Sequence, residues 1–149
     1  MQASTGGGYG YTLMKAAQVW RTEVGAALRP HGITVPQFFV LMALYRQHRH
    51  AWPALTQTAV ATAQGMDANT ASQIFRVLER NGLVRRTTHP DDARAKALEL
   101  TALGVERAVA ASAAARAIND VFFSVVDERD QRALAATLEI LTTGSEHRA

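Results

Sequence analysis

A mainly α-helical fold carrying one small β-hairpin is what this 149-residue sequence predicts. Three observations lead to it. Apolar residues recur at helical spacing through most of the chain. Only one stretch, residues 83–100, changes to short β-type runs around a Pro90-Asp91 turn. Proline and glycine stand at the ends of the helical runs rather than inside them. The length fits one domain, and 48% apolar residues are enough for a packed core.

The elements follow in order. Residues 1–11, MQASTGGGYGY, are glycine-rich and carry neither a basic nor a hydrophobic leader segment, so they read as a flexible tail and not a secretory signal. From Thr12 to Leu28, apolar Leu13, Ala17, Trp20, Val24 and Leu28 form a helical stripe, stopped by Pro30 and Gly32. Thr34 is placed to cap the next helix, with Pro36 in a first turn that tolerates proline. Phe38, Phe39, Val40, Leu41, Met42 and Leu44 make that helix apolar on most sides, as a buried central helix must be. Residues 48–53 read as a loop. Thr56 or Thr58 opens a short helix through Ala63, closed by Gly65.

Asp67 then caps a helix whose core stripe is Ala71, Ile74, Phe75 and Leu78, with Gly82 as its stop. Residues 83–87 and 97–100 read as two strands. Thr101 caps an alanine-rich helix reaching Val126, and a last helix follows from Asp127 with Leu134, Leu138 and Leu141 on one face.

Several chemistries are excluded. There is no cysteine, hence no disulfide framework, thiolate metal site or thiol switch. No apolar run approaches the roughly 20 residues of a membrane span, so the expected location is the cytoplasm. Motifs for acyl or phosphoryl transfer and for zinc hydrolysis are missing, and no catalytic residue or cofactor is expected. His48 and His50 flank Arg49 without a carboxylate or cysteine nearby, a poor first-row metal site, so no metal is expected either.

Charge distribution is more informative than the net +3. Arg76, Arg80, Arg85, Arg86, Arg94 and Lys96 cluster around the helix and hairpin, against Glu79, Asp91 and Asp92. Two helices joined by a short turn, the second polar and basic, fit the helix-turn-helix plan. Asn69, Thr70, Ser72, Gln73 and Arg76, opening from Asp67, supply the groups that read base edges and phosphates of double-stranded DNA. A hairpin bearing Arg85, Arg86, Arg94 and Lys96 makes sense as a wing on the neighbouring minor groove or its phosphates. The competing reading is a winged-helix dimerisation or interaction module with no direct DNA role, for which an apolar or acidic wing would be expected.

These residues also carry a family pattern. Gly32-Ile33-Thr34 with Gln37-Phe38, Asp67 to Thr70, and Leu78-Glu79-Arg80-Asn81-Gly82-Leu83-Val84 match it. So do Asp92-Ala93-Arg94-Ala95-Lys96 and Leu100-Thr101-Ala102-Leu103-Gly104. Over roughly residues 12–142 the chain resembles the MarR family, the multiple-antibiotic-resistance type of winged helix-turn-helix regulator. The resemblance implies a homodimeric repressor on a pseudo-palindromic operator, released by a small aromatic or anionic effector. It implies that residues 12–33 and 102–149 serve dimerisation and residues 34–101 bind DNA. It also implies that Asp92 orients Arg94 towards the minor groove. Ser72-Gln73 departs from the Ser-Arg of many relatives, so one base contact is expected to differ. Trp20, His31, Phe38 and Tyr45 are candidates for an effector pocket, with Arg29 or Arg46 for an anion, although Trp20 and Phe38 also fit an ordinary core. The loop with Trp52 and Pro53 is distinctive.

Overall fold

Six helices and three short strands make up the computed structural model, which describes residues 8–51 and 53–146; residues 1–7 of the expected tail and Trp52 lie outside them. Helix α1 spans Tyr9–Leu28, so the last residues assigned to the tail are helical. A 3-10 turn (Arg29–His31) leads to α2 (Val35–His50). Strand β1 (Leu55–Thr56), α3 (Gln57–Ala63), α4 (Ala68–Arg80), β2 (Val84–His89) and β3 (Asp92–Leu100) follow. Helices α5 (Ala102–Phe123) and α6 (Glu128–Glu146) complete the chain. The chain divides into two compact units, one ending at Ala115 and the other beginning at Arg116. No single helix among the described residues is long and apolar enough to cross a membrane.

Local chemistry accounts for most boundaries. Thr34 closes a capping box on α2: its side chain accepts from the Gln37 N–H while the Gln37 side chain accepts from the Thr34 N–H. Thr56, rather than Thr58, caps α3 through the Ala59 N–H at 3.0 Å. Helix α2 continues through His48, Arg49 and His50, which were expected in a loop. Their cationic or polar side chains are exposed at a helix C-terminus, where the helix dipole favours positive charge. Ala51 then ends the helix in a left-handed conformation at φ 49°.

The first unit has its core where α2, α3, α4 and the sheet meet. Val40, Leu41, Leu44, Val60, Phe75, Leu78 and Leu98 are almost completely buried there, each contributing about 1.5–3 kcal/mol by removal from water. Val24 and Leu28 seat the end of α1, whereas Leu13, also in the predicted stripe, is 47% exposed. The sheet order is β1-β3-β2, antiparallel throughout. The two residues of β1 escape sequence reading because they are too few to show a period; pairing of Leu55 with Leu98 and Thr56 with Ala97 defines the strand. The hairpin is longer than expected. Pairing continues from Val84–Leu100 outward to His89–Asp92, past a register shift at Thr88 and His89, leaving only Pro90 and Asp91 in the turn. Charged side chains on its outer part erase the apolar alternation by which a strand is read.

In the second unit the bend between α5 and α6 is held by one amide. Gln131 Nε2 donates to the carbonyls of Phe123 and Val126 at 2.9 and 2.7 Å. Asp127 caps α6 through the Asp130 N–H. Leu134 and Leu141, on the predicted apolar face, are 40% and 50% exposed.

Candidate nucleic-acid interface

Helix α4 begins with a fully used cap. One oxygen of Asp67 accepts from the N–H groups of Asn69 and Thr70, both at 3.0 Å, and the other accepts from the Thr70 hydroxyl at 2.6 Å. The Thr70 hydroxyl bond, followed by its backbone N–H, holds the Asp67 carboxyl below the usual carboxylate range. Asp67 and Thr70 therefore shape the start of the helix and are engaged with each other.

The rest of α4 is divided by helical geometry. Ala71, Phe75 and Leu78 are buried. On the opposite side Asn69, Gln73, Arg76 and Arg80, at i, i+4, i+7 and i+11, form one exposed stripe, with half-buried Ser72 beside it. Ile74, predicted in the core, lies half-buried at the margin of the apolar face. The stripe offers two amides and two guanidiniums in a row about three turns long.

The wing arginines separate into two kinds. Arg85 pairs across the strands with Glu99, its register partner, at 2.8 Å. Arg86 points to the other side of β2 and meets Glu79 of α4, Nε to Oε2 3.2 Å. The Arg86 Nε and Nη2 atoms are shut off from solvent, and the Nε–H is off line for a hydrogen bond to Glu79. By contrast, Arg94 and Lys96 share one face of β3, are exposed, and have no ion-pair partner among the described residues. The Asp92 carboxylate accepts from the backbone N–H of Arg94 at 2.9 Å. It thus fixes the turn into β3 and does not touch the guanidinium, unlike the contact the family resemblance implied. The backbone N–H is two residues away in a tight turn, within reach of a short side chain that cannot follow a long flexible arginine.

His89 was not singled out in the sequence. Its Nδ1 accepts from the Asp91 N–H at 3.2 Å and its Nε2 lies 3.0 Å from the Ala54 carbonyl. It ties the hairpin to the segment preceding β1. At the inner end, Thr101 joins three elements: its hydroxyl donates to Gly82 O at 2.6 Å and accepts from Gly104 N at 2.9 Å, while its N–H donates to Leu83 O. Gly82 adopts φ 71° and stops α4 with paired bonds, Gly82 N–H to Glu79 O and Leu83 N–H to Leu78 O. A Cβ on Gly104 would overlap the Leu83 carbonyl. The Leu-Thr-x-x-Gly motif is thus the joint between α4, the hairpin and α5.

The proposed effector residues are not gathered into one cavity. Phe38 is a core residue at 7% exposure, and Trp20 stacks on Phe39 with ring centroids 6.1 Å apart. The His31 carbonyl accepts from Arg107 Nη1 of α5. Tyr45 is half-buried on α2. The concave surfaces of this unit lie elsewhere. A groove of about 460 Å³ is lined by Arg21, Gly25 and Arg29 together with Ile33, Thr34 and Val35. Another, of about 420 Å³, lies between α3 and α4. Phe38 went to the core because burial of its area outweighs any preference for a cleft, while Trp20 and Tyr45 stay half-buried.

Comparison with known proteins agrees with this architecture. The family model described as MarR family matches residues 31–95. A transcriptional repressor of Mycobacterium tuberculosis is 33% identical over 132 residues, covering 89% of this chain and 91% of that one. A crystal structure of a MarR family regulator from Rhodococcus superposes with a TM-score of 0.82 at 26% identity, over 95% and 96% of the two chains. The repressor CouR bound to a 23-mer DNA duplex gives a TM-score of 0.81 at 25% identity, over 95% and 99%. The chain belongs to the MarR family, and its hairpin and paired helices are the family's winged helix-turn-helix.

Proposed function

We propose that this protein is a homodimeric transcriptional repressor that places α4 in the major groove of a pseudo-palindromic operator. It is a DNA-binding regulator of its family. The observation that carries the reading is the uncommitted stripe of Asn69, Gln73 and Arg76 together with the unpaired cations Arg94 and Lys96 on the wing. Asparagine and glutamine suit adenine edges, and arginine suits guanine. Arg94 and Lys96 reach the adjacent minor groove and its phosphates. Asp67 and Thr70 contribute by shaping the helix start, with Ser72 at the edge of the stripe. Gln73 stands where many relatives have arginine, so its base preference is adenine. Arg85 is exposed but tied to Glu99, which leaves it a secondary phosphate contact. A relative of known structure, the M. tuberculosis protein, has been crystallised with DNA.

Dimerisation rests on uncovered apolar surface in residues 12–33 and 102–149. Leu13, Met14 and Val19 in the first segment, and Val121, Val125 and Ile140 in the last, are 47–87% exposed in the single chain. Such area is normally covered by another protein. Residues 34–101 then form the DNA-binding part, and the protein works in the cytoplasm. Release by a small anionic or aromatic effector fits the groove between Arg21 and Arg29. CouR, for comparison, has been crystallised with p-coumaroyl-CoA.

The test is fluorescence anisotropy on the DNA upstream of the protein's own gene, at two salt concentrations. Specific binding to two half-sites is expected. Arg94→Ala should weaken it by about 1–3 kcal/mol and lower the salt slope by about one. Wild-type affinity with an unchanged slope for Arg94→Ala would remove the wing from the interface, and sequence-independent binding by the wild type would overturn the repressor reading.

A further inference from the structure

We infer that Glu79 and Arg86 are positioning residues that hold the wing at a set angle to the recognition helix. The inference rests on the DNA-binding reading above. Arg86 is poorly placed to meet a phosphate, because a guanidinium turned in against Glu79 must leave that partner and rotate outward first. Here Nε and Nη2 have none of their surface exposed, and the side chain as a whole is only 26% exposed. Its charged partner among the described residues is Glu79, which sits on α4 between Arg76 and Arg80 in sequence, at the helix end nearest the wing.

The two residues therefore bridge the element that enters one groove and the element that enters the next. The hydrogen bonds linking α4 to the wing lie at the wing's inner end, through Gly82, Leu83 and Thr101. On its other edge β3 is paired with β1, and near the tip His89 reaches the Ala54 carbonyl. The ion pair one strand position beyond Arg85, on the α4 side of the sheet, adds the direct side-chain link from β2 to α4 that sets the angle between helix and wing. Because one partner is half-buried, solvent screens the pair less than an exposed one. Preorganising the wing removes an ordering cost from DNA binding that Arg94 would otherwise bear.

Coupling between the brace and Arg94 tests this. A duplex selected by the wild-type protein from a randomised pool serves as probe, and failure to select any specific duplex would count against the repressor reading alone. Glu79→Gln removes the charge from a half-exposed side chain and keeps its shape. Four proteins are titrated at several salt concentrations: wild type, Arg94→Ala, Glu79→Gln and the double variant. In the wild-type background Arg94→Ala should cost roughly ten-fold, and in the Glu79→Gln background only about two- to three-fold, as coupled residues are non-additive. Glu79→Gln alone should weaken binding while leaving the salt slope unchanged, because no phosphate contact is lost. An equal cost of Arg94→Ala in both backgrounds would overturn the inference. So would an Arg86→Gln variant whose salt slope falls by about one, since Arg86 would then be contacting phosphate.

Discussion

Four arginines of similar sequence context, Arg76, Arg85, Arg86 and Arg94, differ in what their side chains meet. Arg85 and Arg86 are neighbours, and the period of two along a strand sends one to Glu99 and the other to Glu79. Arg76 and Arg94 have no ion-pair partner among the described residues and remain available. A residue type at a predicted element thus identifies a candidate, and the register decides whether it is used. Gly104 makes the complementary point, since its importance comes from a missing atom. Gly104→Ala forces α5 away from the Leu83 carbonyl and should cost about 1–3 kcal/mol, read as a fall in thermal midpoint. An unchanged midpoint would mean that the joint yields freely.

Two elements carry predictions of their own. Helix α4 depends on the Asp67 carboxylate, whose proton affinity is lowered in the folded state by Thr70. A carboxyl with a depressed folded value contributes stability above its unfolded value and loses it as the pH falls through the folded one. Asp67→Ala should therefore lower the melting temperature at neutral pH. The gap to wild type should close in acid; a gap of constant size across the pH range would assign the effect to something other than the ionised cap. Helix α2 ends on Ala51 in the left-handed region, which costs an L-residue with a Cβ roughly 1–2 kcal/mol. Glycine removes that strain but adds freedom to the unfolded chain, about 0.4–1 kcal/mol. Ala51→Gly should accordingly raise stability by roughly 0.5–1 kcal/mol in a denaturant titration, and a loss of stability would contradict the strain at this residue.

For the molecule as a whole, the exposed apolar surface of the N- and C-terminal segments makes assembly the decisive property. Ile140 is 69% exposed in the single chain. Replacing it with aspartate should shift a dimer towards monomer in light scattering at micromolar concentration and weaken operator binding in parallel. A variant that stays dimeric would place the contact elsewhere. A two-fold dimer matches two half-sites one helical turn apart, so loss of the dimer removes one of two recognition helices at once.

The order of the helices, their caps at Thr34, Asp67 and Thr101, the stop at Gly82 and the existence of a charged wing were legible from residues alone, though not where α1 begins or α2 ends. Each is decided within a few residues by hydrogen bonding, backbone preference or apolar spacing. The amide and arginine stripe of α4 was legible for the same reason. Contacts over longer separations were not: β1 pairing with β3, Glu79 meeting Arg86, Thr101 bonded to Gly82, and His89 reaching Ala54. The core alternative for Phe38 was legible too, whereas the stacking of Trp20 on Phe39 came from packing between helices. Local chemistry wrote the recognition helix and the wing into the sequence; the long-range packing of strand, helix and side chain decided which of their cations remain free for DNA.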